Sequence, residues 1–414
     1  MNLILLIVVC LILLKATMEL VLLELNRLHT LKAAQNCPEH IADLIDRDSL
    51  KKSISYTLWK IKFNRIETIV DAFIIIAIFA SGLIPKTFDI FLKFFSETAL
   101  TMGLYLFSIG FTVHLLKLPL DWYWQFKIED RFGFNTTTLK IWISDQIKLF
   151  IISLILTVII TGAIYYLYIH YTVRWALLTF IFIITFQILL TILAPKIILP
   201  LFNKLSPLPE GQLKEKLLNL CRKASFPISS IEIMDGSKRS KHSNAFFTGF
   251  GKFRKIVLFD TLIQQLSEDE LLAVTSHEIG HYKHRHIIKS FLLSAITVGI
   301  GIYIVDLLIK TDWFYTAFGL SHQNPILVLL ILFLIGESVT FWLAPLFNII
   351  SRRWEYQADA FAVRNCEKKE FLISALKKLT EKNLSNLFPH PLYSAFYYSH
   401  PNLIERIKNI ERCG

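Results

Sequence analysis

Charged residues are scarce in this sequence. Asp, Glu, Lys and Arg make up 19% of the 414 residues, whereas hydrophobic residues make up 54%. An ordinary soluble domain is about one-quarter charged, so this composition excludes a wholly soluble globular protein. Five scattered cysteines without C-x-x-C spacing exclude a disulfide framework and predict free thiols. Low-complexity runs and internal repeats are also absent, which excludes a repeat architecture.

Long apolar segments occupy much of the chain instead. Seven are long enough to cross a bilayer, at about 3–25, 66–84, 98–118, 149–170, 174–197, 287–309 and 325–350. A short turn around Thr172 joins the fourth and fifth as a hairpin. The first carries Lys15 and Glu19 and lacks a basic start and a small-residue cleavage site, so we interpret it as a retained anchor. The pattern predicts a mainly α, polytopic bundle of seven membrane helices.

The net charge of +11 is distributed unevenly between the loops. Lys and Arg are dense between spans 1 and 2, between spans 5 and 6 and in the C-terminal tail, and sparse in the other connections. This alternation predicts an N-terminus outside the cytosol, with the 198–286 loop and the C-terminus inside it. The orientation of the chain in the membrane thus accounts for its net positive charge. Because no nucleic-acid motif is present, we expect no nucleic-acid partner.

The segment 275–281 contains the pattern His-Glu-x-x-His, formed by His277, Glu278 and His281. On a helix, residues four apart share one face, so the two imidazoles can bind one zinc ion while Glu278 holds a metal-bound water. Ser267 and Glu270 form a capping box that starts such a helix just upstream. The alternative is a pair of solvated histidines on a helix face. The pattern favours a zinc hydrolase that works at a membrane.

A catalytic zinc site needs a third protein ligand. His284 lies seven residues beyond His277, about 10 Å along a helix axis at ~1.5 Å per residue, and is too distant to share the ion. We therefore interpret His284 and His286 as the polar, interfacial end of the helix.

Glu355 and Asp359 are better candidates. They lie four residues apart on a probable helix, where two exposed acids would repel each other. The spacing is explained if one acid binds zinc and the other accepts the free N–H of a ligating histidine. A surface acid pair balanced by Arg352 and Arg353 explains it equally well.

The soluble residues fall into two pieces, 198–286 and 351–414. Spans 1–5 with their loops (1–197) precede them, and spans 6 and 7 (287–350) separate them. The candidate ligands are divided between the two pieces, so we expect the pieces to pack together as one small α+β domain. Within the first piece, 231–234 and 256–259 are typical of strands. Residues 243–250 suggest an edge strand, which could bind an extended peptide, or a simple hairpin.

Ionisable residues also lie in or near the spans: Lys15, Glu19, Asp71, Asp306 and Glu337. Glu337 is near the middle of span 7, where a charge is costly in lipid. It predicts either a hydrated interior or a pair with a polar group on a neighbouring span.

The chain resembles the integral-membrane CAAX prenyl proteases, which are seven-span zinc endopeptidases of the gluzincin type. The resemblance covers most of the chain and rests on several modest motifs besides that of His277. These are segments 126–135, 200–204, 207–211, 243–246, 351–359 and 398–401.

The resemblance implies one Zn²⁺ per chain, bound by His277, His281 and Glu355, with Glu278 as general base and Asp359 beside the ligands. It also implies that His400 and Arg406 contact the oxyanion or the substrate backbone, that Asn244 and Ala245 lie on the substrate-binding edge, and that the helices enclose a water-filled chamber. The short 311–324 loop and the lack of a C-terminal retention signal favour a bacterial-type member in an inner membrane, with the endoplasmic reticulum as the alternative.

The expected function is hydrolysis of peptide bonds in membrane-associated substrates, CAAX-type and prenylated or similar. One alternative is a quality-control zinc protease that cleaves misfolded membrane proteins and has no prenyl substrate. A further alternative, from another class, is a seven-span transporter or scaffold with a vestigial site.

Overall fold

The structure is a computed structural model that describes residues 2–35, 45–249 and 254–413. Cys37 and the end of the proposed 243–250 strand lie outside these residues. In the described part, the cysteines Cys10, Cys221, Cys366 and Cys413 are free, as expected.

Helices dominate the chain. They are α1 (Leu3–Gln35), α2 (Arg47–Ala80), α3 (Leu83–Phe94), α4 (Ala99–Tyr123), α5 (Leu139–His170), α6 (Trp175–Leu193), α7 (Leu199–Phe202), α8 (Gln212–Lys223), α9 (Asp260–Gln265), α10 (Glu268–Lys283), α11 (His286–Ile309), α12 (Asp312–Ala317), α13 (Pro325–Thr340), α14 (Ala344–Asn365), α15 (Lys369–Lys382), α16 (Pro391–Tyr397) and α17 (Leu403–Arg412). Short π-helical turns continue α4 (Trp124–Glu129) and α6 (Ala194–Ile198).

Six of the helical segments within these described ranges are long and apolar enough to cross a membrane, and the pair α2–α3 makes a seventh. Six of the seven predicted spans are therefore confirmed as single helices, and the remaining one corresponds to the bent pair. The second predicted span, 66–84, is wrong in its end: α2 stops at Ala80 and α3 begins at Leu83, bent by 60°. Gly82 between them has φ +62°, a left-handed conformation that glycine adopts without strain.

The helices also extend beyond the predicted spans. The 33 residues of α1 measure about 50 Å at ~1.5 Å per residue, well over the ~30 Å of a hydrocarbon core. The extension is polar and packs on the soluble part: Thr30 donates to the Phe388 carbonyl, and Asn26 accepts from the His390 N–H. Hydropathy detects only the lipid-facing length, so it ends the helix too early.

The soluble part contains a four-stranded sheet in the order β1-β2-β4-β3, formed by Leu205–Pro207, Ser230–Met234, Lys255–Phe259 and Ala245–Thr248 respectively. Strands β2 and β4 are parallel and correspond to the two predicted strands. Strand β3 is antiparallel to β4 and pairs with no other strand of the described chain. The predicted edge strand is thus confirmed. Ile256 and Leu258 are buried and pack in one hydrophobic core with Leu271 and Ile279 of α10.

The two soluble pieces pack together, as the division of the candidate ligands requires. Ala375 of α15 joins the core of the first piece, and Ala273 of α10 joins that of the second. Helices α10 and α14 are in close contact at Gly280, where a Cβ atom would lie 2.9 Å from the Cα of Ala358. A side chain at this position would separate the helices. The proposed 350/351 boundary falls inside α14, which continues from the membrane into the soluble domain.

The bundle interior contains ion pairs. Lys15 on α1 lies 2.9 Å from Glu19 and 2.9 Å from Glu337 on α13, and Lys117 lies 3.0 Å from Asp71. All of these residues except Glu19 line a cavity of about 160 Å³. Glu337 is thus paired across the bundle, as one of the two explanations predicts, and it also lines this cavity. The hydrated interior stays a prediction.

Candidate metal centre

Helix α10 carries the His-Glu-x-x-His pattern and begins as the sequence predicts. Ser267 and Glu270 form the complete capping box, with each side chain accepting a backbone N–H of the other. Glu270 also accepts hydrogen bonds from Ser374 and Lys378 of α15, at 2.6 and 2.8 Å. The start of α10 is thereby attached to the second soluble piece, and this attachment fixes the helix on which His277 and His281 lie.

The side chains of His277, His281 and Glu355 converge at the contact between α10 and α14. The two Nε2 atoms are 3.2 Å apart. They lie 3.4 Å (His277) and 3.3 Å (His281) from the carboxylate oxygens of Glu355. Within the described residues, these three form the one group of histidine, cysteine or acidic side chains with metal-ligand spacing. The third candidate ligand thus reaches the two histidines from a helix about 75 residues downstream.

Asp359 lies one turn beyond Glu355, on the other side of the His277 ring. Its Oδ1 is 2.9 Å from Nδ1 of His277, and its side chain is completely buried. Because a carboxylate accepts, Nδ1 of His277 carries the proton and Nε2 presents its lone pair. Arg406 of α17 donates to both oxygens of Asp359 and so holds the carboxylate in place.

His286 has the corresponding position beside His281. The two Nδ1 atoms are 3.0 Å apart, and Nε2 of His286 is 2.9 Å from Oε1 of Gln357. The amide oxygen accepts from Nε2–H, so Nδ1 of His286 accepts from His281 and leaves the Nε2 lone pair of His281 free. His286 is 3% exposed and stacks on Trp354 with ring centres 5.0 Å apart.

The interpretation of His286 as an interfacial residue is therefore wrong, whereas His284 is exposed as expected. That interpretation requires one continuous helix from His277 to His286. The chain instead ends α10 at Lys283 and passes through Arg285 at φ +56° before α11 begins. This break turns His286 back towards His281. Apart from the Lys-His-Arg-His run at 283–286, the sequence contains no local signal for this helix break.

Two observations show that these side chains fit a metal ion. The two Nε2 atoms lie 3.2 Å apart, close to the ~3.3 Å that separates two ligands about 2.05 Å from a tetrahedral ion. Oε2 of Glu355 is buried and lacks a hydrogen-bond partner in the described structure. Two imidazoles and a carboxylate are a common donor set for catalytic zinc.

Glu278 and His400 flank the three convergent side chains. Burial raises the pKa of Glu278, and the neighbouring imidazoles oppose that rise only in part. Nε2 of His400 lies 3.3 Å from Oε1 of Glu355, while 65% of the His400 side chain remains exposed. His400 and Arg406 line one cavity of about 310 Å³. The structure thus brings His400 to the centre but places the donors of Arg406 on Asp359.

Asn244 and Ala245 lie at the start of β3. Asn244 accepts the N–H of Phe259 through its carbonyl and the N–H of Ala245 through its side chain. Strand β3 packs close to α10, and the edge away from β4 has no strand partner among the residues described. An extended chain could therefore pair there.

A convergent His-His-Glu centre at the junction of a membrane bundle and a small sheet defines a class, the membrane-embedded metallopeptidases. A family model described as "CAAX prenyl protease N-terminal, five membrane helices" matches residues 27–204. The model of peptidase family M48 matches residues 207–413.

Known proteins are similar over almost the whole chain. The CAAX prenyl protease 1 homolog of Arabidopsis thaliana is 36% identical over 94% of this chain and 93% of its own. CAAX prenyl protease 1 of Saccharomyces cerevisiae is 34% identical over 90% and 88%. The crystal structure of S. mikatae Ste24p matches with a TM-score of 0.92 at 30% identity, over 99% of this chain and 100% of that one. The chain belongs to the CAAX prenyl protease 1 family, and is a multi-pass membrane metalloendopeptidase.

Proposed function

We propose that the chain is a zinc endopeptidase in which His277, His281 and Glu355 bind one Zn²⁺. The main support is the convergence of these side chains: their ligand atoms have metal-ligand spacing, and a buried carboxylate oxygen of Glu355 lacks a hydrogen-bond partner in the described structure. A bound zinc ion supplies a Lewis acid, which lowers the pKa of water and polarises a peptide carbonyl. Asp359 and His286 hold the two imidazoles in the tautomer that presents Nε2.

Glu278 is the general base. It takes the proton of the attacking water and delivers it to the leaving amine. Burial raises its pKa and so makes the carboxylate a stronger proton acceptor than an exposed one.

His400 is the candidate for stabilising the oxyanion, because it touches Glu355 and faces a cavity. For Arg406, the family resemblance implies contact with the oxyanion or the substrate backbone. The N–H groups of Arg406 donate to both carboxylate oxygens of Asp359, which favours a positioning role. In this role Arg406 orients Asp359, and Asp359 in turn orients His277.

The substrate is an extended peptide that pairs with the free edge of β3, beginning at Asn244 and Ala245. We propose a CAAX-type, lipidated peptide, because the relatives that this chain matches nearly end to end are named CAAX prenyl proteases. Unlipidated membrane proteins, as in quality control, are the second candidate. The intact set of side chains around His277 argues against a transporter or scaffold with a vestigial site.

We further propose that the metal centre and the C-terminus lie in the cytosol and the N-terminus outside it. The charge distribution supports this orientation. So does the contact of Asn2 with the Ala317 carbonyl in the connection between spans 6 and 7, at the end of the bundle away from the soluble domain. The preference for a bacterial inner membrane stays a prediction. The relatives reported above are eukaryotic and support the alternative, the endoplasmic reticulum.

Glu278→Gln tests the mechanism. We expect it to retain zinc and lose peptidase activity by about 10²- to 10⁴-fold, because the amide cannot accept the proton. Metal analysis and cleavage of a prenylated CAAX peptide measure the two properties. Glu367→Gln, the same change at an exposed acid, is the control. Full activity of a metal-loaded Glu278→Gln protein would overturn the assignment.

The substrate class is tested separately with the wild-type protein. We expect faster cleavage of a prenylated CAAX peptide than of the same peptide without the lipid. Equal rates for both, and for an unrelated extended peptide, would favour the quality-control function.

A further inference from the structure

A cavity of about 420 Å³ lies where the peptidase sheet meets the start of the membrane helix α11. Its lining includes three basic residues, Arg254, Lys283 and Arg285, and two aliphatic ones, Ile287 and Ile288. None of the candidate metal ligands lines it, so it is separate from the metal centre.

The basic residues are not paired with acids. Among the ion pairs of the described residues, with N···O distances up to 4.0 Å, none involves Arg254, Lys283 or Arg285. The stretches around these residues, 250–258 and 279–289, contain three Lys or Arg each and no Asp or Glu. Because this count includes residues 250–253, the undescribed part of the first segment cannot supply a carboxylate either. The site therefore attracts an anion.

Arg254 is held in place before any ligand arrives. Its guanidinium carbon lies 4.2 Å from the centre of the Tyr282 ring and 5.8 Å from that of Phe226. The two rings pack edge to face at 4.8 Å. Stacking uses the face of the guanidinium and leaves its N–H edge to bind oxygen. A fixed fork of donors suits the planar pairs of oxygens of a phosphate.

The aliphatic residues indicate where the anion comes from. Ile287 and Ile288 are 45% and 48% exposed and begin the apolar span α11. Lys283 and Arg285, just before them, are exposed as well. Basic side chains directly above lipid-exposed aliphatic ones lie at the depth of phospholipid headgroups.

We propose that this cavity binds the phosphate diester of an anionic phospholipid. The headgroup phosphate contacts Arg254, Lys283 and Arg285, and the acyl chains run along Ile287 and Ile288. The site thereby fixes the depth at which β3, whose residue Phe247 also lines the cavity, meets the membrane.

Lipid binding to the purified full-length protein in a neutral detergent tests the proposal without reference to peptidase activity. The probes are phosphatidylglycerol with two eight-carbon chains, phosphatidylcholine with the same chains, and inorganic phosphate. The test variant is Lys283→Gln/Arg285→Asn, since both side chains are exposed and Asn tolerates the positive φ of Arg285. Lys52→Gln/Lys140→Gln removes two other exposed cations and is the matched control.

We expect the test variant to bind phosphatidylglycerol about tenfold more weakly than the wild type does. The affinity of the control variant should stay within about twofold of the wild-type affinity. Arg254→Gln should weaken binding in the same way. Equal affinity of wild type and test variant would overturn the proposal. Equal affinities for inorganic phosphate and phosphatidylglycerol would also overturn it, because the cavity would then be a site for free phosphate. Phosphatidylcholine that binds as tightly as phosphatidylglycerol would also overturn it, because only the acyl chains would then be recognised.

Discussion

Hydrogen bonds to His277 and His281 decide which nitrogen of each ring is available to a metal. Asp359, a carboxylate held by Arg406, orients His277. His286, held by Gln357, orients His281. A carboxylate makes its imidazole more basic than a neutral ring does, so the two proposed ligands differ in strength. The orientation of the two rings nevertheless depends on both Asp359 and His286.

We predict that His286→Phe weakens zinc binding by about 10- to 100-fold, the usual cost of losing the partner of a ligating histidine. Phenylalanine preserves the stack on Trp354 but cannot accept from Nδ1 of His281, so the tautomer of His281 is no longer fixed. Zinc affinity is measured by competition with a chelator. His284→Phe, the same change at the exposed neighbour, should leave the affinity unchanged. Equal losses in both variants would show a merely local structural effect.

Sequence reasoning was most successful where the information is local. The spacing of His277 and His281 places them on one helix face without knowledge of the fold. The spacing of Glu355 and Asp359 is equally clear, but their partners are some 80 residues away, so a surface pair was equally plausible until the two helices were placed together. His286 was misinterpreted because the break at Arg285 depends on tertiary packing.

Among the secondary-structure elements, α10 connects the sheet, the metal centre and α14. Its N-terminus is fixed by Glu270, which is 4% exposed and accepts from Ser267, Ser374 and Lys378. Its C-terminal half is fixed by the close contact of Gly280 with Ala358. These two contacts hold α10 against α15 and α14. Substitutions that disturb either contact should therefore move His277 relative to Glu355.

Glu270 should make the stability of the protein depend on pH. Burial alone would raise its pKa, but the hydrogen bonds from Lys378, Ser374 and Ser267 outweigh burial and lower the pKa below its usual value. A lowered folded-state pKa contributes stability above the unfolded pKa of about 4.3, and this contribution is lost as pH falls through the folded value.

We therefore predict that Glu270→Gln lowers the free energy of unfolding by about 1–3 kcal/mol at pH 7. The difference from wild type should shrink as the pH falls below about 4.3, because Glu270 is then protonated in the unfolded chain while it stays ionised in the folded protein down to its lowered pKa. Denaturant unfolding at several pH values measures it. Glu367→Gln, at an exposed acid, should show no such difference. A Glu270→Gln deficit that stays constant down to pH 3 would exclude ionisation as its cause.

At the scale of the whole molecule, the membrane bundle and the peptidase domain form one continuous structure. Composition predicted seven spans because lipid imposes a minimum apolar length. It could not predict that α1, α2 and α14 continue into the soluble part, since those extensions are polar and are stabilised by partners distant in sequence. Ser53 of α2, for example, donates to the Ser385 carbonyl.

Lys15 connects the two parts through buried charges. It contacts Glu337 in the last span and Glu19 on its own helix, and Glu19 accepts from the hydroxyl of Tyr397, three residues before His400. Lys15 and Glu19 are each 8% exposed. Removing one partner of a buried ion pair leaves an uncompensated charge, which usually costs about 3–5 kcal/mol. We expect less here, because Glu337 faces the cavity and keeps some hydration.

We predict that Lys15→Met destabilises the protein by about 1–3 kcal/mol, below the full cost of an isolated buried charge. Lys15→Met/Glu19→Gln should recover part of this loss, because the amide removes the unpaired charge and still accepts from Tyr397. Thermal unfolding of the three proteins in one detergent measures the series, with Lys52→Met as the exposed control. If the double variant is less stable than Lys15→Met, then shape rather than charge holds α1 against α13 and α16, and the buried lysine does not connect the bundle to the peptidase domain.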